Sequence, residues 1–157
     1  MSERIHPIEG RYRTKAMALL FTAGKKLEYW MRVEAALAMT HAEFGTIPQK
    51  AAEEINNKAS LEYVKVERVK AIDREIHHDL MAMVRGIAEQ CEGDAGGYIH
   101  LGATSYDIED SARAIQLVEA LKVLENSLMR MMKALIKQAK ANKNRVCVGR
   151  TDGQQAL

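Results

Sequence analysis

The sequence is poor in proline, cysteine and aromatic residues. In 157 residues it has two prolines, two cysteines and 5% aromatic residues. Cys91 and Cys147 have no partner at a spacing typical of a metal site, so a reduced protein of the cytosol is the simplest interpretation. The charges favour neither sign, with 23 basic and 21 acidic side chains that are well mixed. This balance indicates a solvated surface and gives no reason to expect a nucleic-acid partner.

Long apolar runs and targeting segments are also absent. No run of about 18 apolar residues could cross a bilayer, and no signal peptide is visible, so we expect a soluble, cytoplasmic protein without a membrane partner. What the chain does contain is 47% hydrophobic residues, with nine methionines and many alanines. These residues favour helix over sheet, and the length suffices for one domain with a hydrophobic core. The expected fold class is all-α.

The first third of the chain begins without helical periodicity. Residues 1–17 contain a proline, a glycine and three arginines, and we expect them to form an extended arm. Thr14 is a candidate cap for a short helix that ends near Gly24. An amphipathic helix is predicted over residues 25–45, and Pro48 suits the first turn of the next helix. The apolar face of the 25–45 helix is expected to comprise Leu27, Trp30, Val33, Leu37 and Phe44.

A single long helix is predicted over residues 61–91, with Ser60 as its cap. Its core-facing stripe is expected to comprise Ile72, Ile76, Leu80, Met83 and Ile87. His77 and His78 lie within it, and adjacent helical positions point about 100° apart, so they do not form a chelating pair. The three other histidines do not complete a ligand set, and no metal site is expected. His77, beside the stripe, is expected to be packed.

The longest predicted helix runs from Ser105 to about Asn142, without proline or glycine. Its apolar residues recur three and four apart, as in the seam of a helical bundle. They are Ala114, Leu117, Leu121, Leu124, Leu128, Met131 and Leu135, with Val118, Met132 and Ile136 widening the face. Such a helix is roughly 55 Å long, whereas a compact chain of this size is roughly 40 Å across. We therefore expect the apolar face to need partners outside this chain.

Polar residues collect where this helix begins, in "HLGATSYDIEDSA". Gly102 permits a tight turn, and Thr104 and Ser105 supply hydroxyl groups. Free N–H groups and the helix dipole make such a start a natural anion site. The alternative is plain capping, with Ser105 as the N-cap and with Asp107 and Asp110 complementing the dipole. This stretch alone favours capping.

The predicted arm contains a second group of polar residues, in "EGRYR". Arg11 and Arg13 flank Tyr12, and their forked guanidinium groups are suited to bidentate contacts with phosphate or carboxylate. Solvated surface residues are the default interpretation of such a pattern. By itself this segment therefore favours a solvated surface.

Taken together, the motifs are more specific. "IHPIEGRYR", "HHDL", "HLGATSYDIEDSA" and "VGRTDGQ" resemble, in order and approximate spacing, motifs of the adenylosuccinate lyases, most nearly those of archaeal type. These enzymes belong to the fumarase, aspartase and argininosuccinate lyase superfamily. The resemblance covers all 157 residues but only about the first third of a family member. It implies an N-terminal helical domain over residues 1–103 and the start of the central helical bundle over residues 104–157.

The resemblance implies a function and a set of site residues. Family members release fumarate from adenylosuccinate and from the related carboxamide ribotide of purine biosynthesis. They need no cofactor or metal, and they are homotetramers whose active sites each draw on three subunits. Residues at positions matching substrate-binding positions are Arg11 and Tyr12 for the phosphate, His77, His78 and Asp79 on the histidine helix, and Thr104 and Ser105 for the succinyl group. His78, at the motif's own histidine, is also a catalytic candidate.

One position departs from the family at the chemistry itself. In this β-elimination an acid protonates the departing nitrogen, a task suited to histidine with its ordinary pKa of about 6.5. The family's histidine lies in the motif GRTHG, where this chain has Asp152. A carboxylic acid with an ordinary pKa of about 3.9 has no proton to give at neutral pH. Gln155 and Tyr106 are further departures, at a common second histidine and at the asparagine of "TSND".

The family's catalytic base is absent from the sequence. This serine lies on a loop of pattern SSxMPxKxN in the C-terminal half of family members, and nothing here resembles it. We therefore expect the 157-residue chain to be inactive by itself. Two alternatives remain: a non-catalytic relative that serves as a nucleotide-binding or assembly module, and a sibling enzyme such as an argininosuccinate lyase. The "IHPIEGRYR" arm argues against the sibling.

Overall fold

The computed structural model describes residues 9–156, and these residues are mainly helical. The elements are α1 (Glu9–Tyr12), α2 (Lys15–Leu20), α3 (Ala23–Glu43), α4 (Gln49–Lys58), α5 (Val66–Ile76), α6 (Asp79–Ala88), a 3-10 helix (Ala95–Tyr98), α7 (Ser105–Asn142), β1 (Gly149–Thr151) and β2 (Gln154–Ala156). The prediction of an all-α fold is confirmed, because the described strands form only one short hairpin. None of the described helices is long and apolar enough to span a membrane.

The chain divides into two compact units, the first ending at Ala120 and the second beginning at Leu121. The first unit contains the hydrophobic core, to which α3, α4, α5, α6 and the first turns of α7 contribute. Its most deeply buried apolar side chains include Met31, Ile55, Ile72, Leu80, Met83, Ile87 and Ile108. The second unit contains the rest of α7 and the hairpin. The predicted domain boundary near residue 103 concerns family architecture and stays a prediction.

The beginning of the chain is more helical than predicted. Glu9–Tyr12 form one turn of helix, so the predicted extended arm is wrong there, and residues 1–8 lie outside the described part. Thr14 caps α2 as predicted, since its hydroxyl oxygen accepts the Met17 N–H at 3.3 Å. However, α2 ends at Leu20 and not near Gly24. The reason is a second cap, Thr22, whose hydroxyl accepts the Lys25 N–H and starts α3.

Helix α3 follows the predicted amphipathic pattern except at its end. Leu27 and Trp30 are buried, and Val33 is half-buried against the core, as is Leu37. Phe44 is 82% exposed, so its assignment to the core face is wrong. The helix ends at Glu43, and Gly45 then takes a φ of +71°, a conformation that turns the chain and that glycine adopts without strain.

The predicted helix over residues 61–91 is wrong as a single element. It is two helices, α5 and α6, separated by His77 and His78, and α5 starts after Lys65 rather than at a Ser60 cap. The core stripe nevertheless holds: Ile72, Leu80, Met83 and Ile87 are buried and Ile76 is half-buried. Apolar spacing therefore predicted which residues face the core but did not reveal the break between the helices.

Helix α7 spans Ser105–Asn142, as predicted. Its 38 residues correspond to about 57 Å. Its buried residues, Ile108, Ala112 and Ala120, all belong to the first unit. Beyond Ala120 every described side chain of the helix is exposed or half-buried. The apolar seam predicted from the sequence is therefore an exposed face here.

Candidate functional site

The two adjacent histidines form a corner between helices, not a helical face. His77 is the C-cap of α5, with a left-handed φ of +52°, and its backbone N–H donates to the Asp73 carbonyl at 2.7 Å. His78 is extended and caps α6, where its Nδ1 accepts the Met81 N–H at 3.3 Å. Both side chains are exposed, so the prediction that His77 is packed is wrong. Imidazole accepts a backbone N–H as other caps do, which explains why the helix stops here.

Asp79 connects this corner to helix α3. One carboxylate oxygen accepts the Leu80 N–H at 2.9 Å, and the other lies 3.3 Å from the Lys26 ammonium group. That ammonium group also sits 4.1 Å from the centre of the Trp30 ring. Because Trp30 is buried, this contact holds the Lys26 side chain in place, and Lys26 in turn holds Asp79. The corner thus presents two exposed imidazoles on a fixed backbone.

The start of α7 has free hydrogen-bond donors. Gly102 adopts a φ of +69° just before it, and the helix begins at Ser105, so the predicted N-cap is instead the first helical residue. Within the described residues, the backbone N–H groups of Ser105 and Tyr106 have no acceptor. The carboxylate of Asp107 accepts the Thr104 N–H at 2.8 Å. This carboxylate satisfies one donor of the helix end and leaves two for a ligand.

The loop before α7 is tied twice to helix α3. The Nδ1 atom of His100 lies 2.6 Å from a carboxylate oxygen of Glu34, and the Nε2 atom of His41 lies 2.9 Å from the Leu101 carbonyl oxygen. Glu34 is only 1% exposed. Burial raises the pKa of its carboxyl group, and the hydrogen bond and charge of His100 oppose that rise. Helix α3 therefore supports both this loop and the histidine corner.

The Glu34–His100 pair was not predicted, although the sequence held a signal for it. His100 was considered only as a metal ligand. Glu34 lies four residues after Trp30 and four before Ala38, both of which are buried, so a carboxylate stands in the middle of the core-facing side of α3. An ionisable residue at a core position requires a partner. That requirement predicts a buried polar contact but does not identify the partner.

The arm residues lie on α1. Arg11 and Tyr12 are exposed, Tyr12 to 73%, and neither side chain makes a hydrogen bond or an ion pair within residues 9–156. Their predicted role at a phosphate stays a prediction. As for metals, no group of three or more His, Cys, Asp or Glu side chains in the described part of the chain could hold an ion.

Asp152 lies in the second unit, in the turn of the hairpin. Strands β1 and β2 pair in antiparallel fashion, with Thr151 opposite Gln154. The two turn residues both have positive φ, +51° at Asp152 and +78° at Gly153. Asp-Gly is the preferred sequence for such a turn, so the hairpin could have been predicted from these two letters. The Asp152 side chain is exposed.

A family model and the curated relatives both indicate a lyase. A family model described as Lyase matches residues 10–157. The adenylosuccinate lyase of Methanocaldococcus jannaschii is 50% identical over 153 residues, which cover 98% of this chain and 33% of that protein. The adenylosuccinate lyase of Methanothermobacter thermautotrophicus is 48% identical over the same length, covering 98% of this chain and 34% of that protein. The chain thus spans about a third of the length of these curated relatives.

Solved structures of two other enzymes share the fold of this chain. The 3-carboxy-cis,cis-muconate lactonizing enzyme of Pseudomonas putida superimposes with a TM-score of 0.84 at 27% identity, over 96% of this chain and 35% of that one. A fumarate lyase from Mesorhizobium sp. BNC1 gives a TM-score of 0.81 at 30% identity, over 93% of this chain and 35% of that one.

Proposed function

The chain belongs to the lyase family whose model matches residues 10–157, and from this premise we propose that it is the N-terminal part of an adenylosuccinate lyase. The proposed reaction is the β-elimination of fumarate from adenylosuccinate and from succinyl-aminoimidazole carboxamide ribotide in purine biosynthesis. It needs no cofactor. The proposed protein is a cytoplasmic homotetramer, and the 157-residue chain is proposed to be inactive without the rest of the subunit.

The observation that supports this proposal best is the start of α7. The N–H groups of Ser105 and Tyr106 are free there, beside the hydroxyl groups of Thr104 and Ser105. Free donors at the positive end of a helix bind carboxylate or phosphate. We assign this position to the succinyl group of the substrate, and we assign Arg11 and Tyr12 to the phosphate.

His78 is proposed to act as a hydrogen-bond donor at the site. Its Nδ1 atom accepts the Met81 N–H, so the neutral ring carries its hydrogen on Nε2. The exposed Nε2–H can then donate to substrate. His77 and Asp79 are proposed to complete this substrate-binding corner, with Asp79 held by Lys26.

Titration calorimetry of the 157-residue chain tests the proposed anion site at the start of α7. We expect adenylosuccinate to bind, and Thr104→Val to weaken its affinity at least tenfold because the variant lacks the hydroxyl group. Thr46→Val is the matched control, since Thr46 is exposed in a loop after α3 and no role is assigned to it. Absence of heat with both adenylosuccinate and AMP would count against the proposal.

A chimera tests the chemistry. In it, this chain replaces the corresponding third of the M. jannaschii enzyme, and fumarate release is followed by ultraviolet absorbance. A positioned general acid contributes about 10²- to 10⁴-fold, so Asp152→His is expected to raise the rate by at least about 10²-fold. An unchanged rate would show that Asp152 does not occupy the position of the family's acid.

A second candidate function is a non-catalytic nucleotide-binding or assembly module derived from the same fold. The observation in its favour is Asp152 itself, which stands where the family has histidine. The chimera separates the two: substantial fumarate release with Asp152 in place contradicts the module, whereas nucleotide binding without turnover in both chimeras supports it.

A further inference from the structure

Glu34 is the one charged side chain that is buried in the described part of the chain. Its Oε1 atom contacts His100, and its Oε2 atom has no hydrogen-bond partner within residues 9–156. Removing a carboxylate from water is costly, and an unpaired carboxylate oxygen adds to that cost. An apolar residue at this position would bury between Trp30 and Ala38 without either cost. Packing of α3 therefore gives no reason for a glutamate here.

The contact that Glu34 makes is to a strained loop. His100 has a φ of +65°, in the left-handed region that a residue other than glycine seldom occupies. Such a conformation persists where surrounding contacts determine it. The bond from His100 to Glu34 is one such contact, and the bond from His41 to the Leu101 carbonyl is a second.

This loop leads directly into the proposed anion site. Gly102, at a φ of +69°, turns the chain, and Thr104 and Ser105 follow. A shift of the loop would therefore move the hydroxyl groups and the free N–H groups together. Well-placed donors bind a ligand more tightly when their geometry is fixed in advance.

We propose that Glu34 is a positioning residue: its buried carboxylate holds the Nδ1–H of His100 and thereby fixes the loop that presents Thr104 and Ser105 to the succinyl carboxylates of the substrate. The assignment of those carboxylates rests on the proposed function, whereas the control of the loop by Glu34 does not. The bond also fixes the His100 ring, because a neutral imidazole that donates from Nδ1 has its free acceptor at Nε2.

Nuclear magnetic resonance of the 157-residue chain tests the control of the loop. In Glu34→Gln we expect the ¹⁵N signals of the His100 ring to shift toward the Nε2–H tautomer and the backbone amides of residues 100–105 to move. Glu119→Gln is the matched control, because Glu119 also accepts a hydrogen bond from an aromatic side chain, that of Tyr29. It should leave the His100 signals in place. Signals for His100 and residues 100–105 that are the same in wild type, in Glu34→Gln and in Glu34→Asp would overturn the proposal.

Ligand titration tests the consequence for the substrate. We expect Glu34→Gln to weaken adenylosuccinate binding about tenfold and to leave AMP binding unchanged, since AMP has no succinyl group. A general loosening of the fold would weaken both ligands equally, and that result would contradict a positioning role. If wild type binds neither ligand, the proposed function fails for this chain, and the magnetic resonance result still decides the role of Glu34.

A second variant covers the case in which Glu34→Gln does not fold. Glu34→Asp keeps the charge but withdraws the carboxylate by one methylene group, so the same signals should move while the core remains folded. His41→Ala removes the second hydrogen bond from α3 to the loop. It should move the amides of residues 100–105 without changing the tautomer of His100, and a changed tautomer would contradict the separate roles of the two contacts.

Discussion

The two units of the chain differ in burial, although both carry the apolar spacing of a helix. In the first unit, every leucine, isoleucine, valine and methionine side chain of helices α3 to α6 is buried or half-buried. In the second, no side chain whose burial is described is buried, although α7 there continues with leucine and methionine at spacings of three and four. Leu80 is fully buried, for example, whereas Leu128 is 53% exposed.

This difference shows that sharing a helix face and being buried are separate properties, although the same apolar spacing is used to predict both. Spacing determines which side chains share a helix face, because the rise and turn of the helix are fixed. Burial requires a second apolar surface to pack against, and in the first unit the helices provide that surface for one another. The exposed leucine and methionine side chains of α7 form the type of apolar surface that associates with other chains or segments. We propose that helices of the rest of the subunit or of other subunits cover it.

The largest expected effect comes from truncating the same residue type in each unit. Leu80→Ala leaves a cavity in the core and is expected to lower the free energy of unfolding by about 2–5 kcal/mol. Leu128→Ala removes an exposed side chain and should change it by less than about 0.5 kcal/mol. Urea denaturation at a low protein concentration, where chains are separate, measures both. Equal losses would mean that the exposed face is packed in solution.

A charge placed on the exposed face tests what covers it. We expect the wild-type chain to self-associate at high concentration, and Leu128→Glu to raise the dissociation constant at least tenfold because it places a carboxylate in an apolar contact. Sedimentation equilibrium measures this constant. The control, Lys133→Glu, also adds a carboxylate to α7 but at an exposed polar position. A wild-type chain that stays monomeric throughout would contradict association through this face.

A partly buried hydrogen bond within the first unit gives the next largest effect on stability. The Tyr29 hydroxyl donates to Glu119 at 2.6 Å, and burial, followed by this bond, raises the pKa of Tyr29 above its ordinary value of 10.0. Tyr29→Phe is expected to cost about 1–2 kcal/mol at neutral pH. Tyr106→Phe, at a 71% exposed position, should cost nothing measurable.

The same pair predicts a pH dependence. The unfolded phenol ionises near pH 10, whereas the folded one keeps its proton, so the stability from this group is complete below pH 10 and is lost as the pH rises further. The difference between wild type and Tyr29→Phe should therefore shrink above pH 10. Chemical denaturation at several pH values measures it, and a difference that grows with pH would refute the assignment.

The smallest effect compares hydroxyl groups in the two units. Thr22 caps α3, and Thr22→Ala should cost about 1 kcal/mol because the Lys25 N–H loses its acceptor. Ser127 lies within α7, and its hydroxyl bonds back to the Val123 carbonyl, which already has a helical partner. Ser127→Ala should therefore be neutral or slightly stabilising. A loss of stability as large as that of Thr22→Ala would contradict this distinction.

Much of the fold could be predicted from the sequence. The bounds of α7, the cap at Thr14 and the core stripe around Leu80 are confirmed, because they depend on local spacing and on side chains close in sequence. Local rules failed at the histidine corner. Nothing in the spacing of residues 61–91 distinguishes one helix from two, since the stripe keeps its period through His77 and His78.

The candidate site was also predictable only in part. Thr104 and Ser105 could be identified from the polar start of a long helix, and the Asp-Gly pair predicts the turn at Asp152. The contact between Glu34 and His100 joins residues far apart in sequence. A buried carboxylate on α3 could be foreseen, but its partner was determined by how the loop before α7 packs on that helix.

By itself, the sequence determined the bounds of α7, the cap at Thr14 and most of the apolar helix faces, because backbone geometry and side-chain spacing act over a few residues. Only the tertiary structure decided which apolar face is buried, where the predicted helix over residues 61–91 breaks, and that His100 is the partner of the buried Glu34. These outcomes depend on surfaces that meet across the fold, and the free energy of a buried or paired group is set by the partner it finds there.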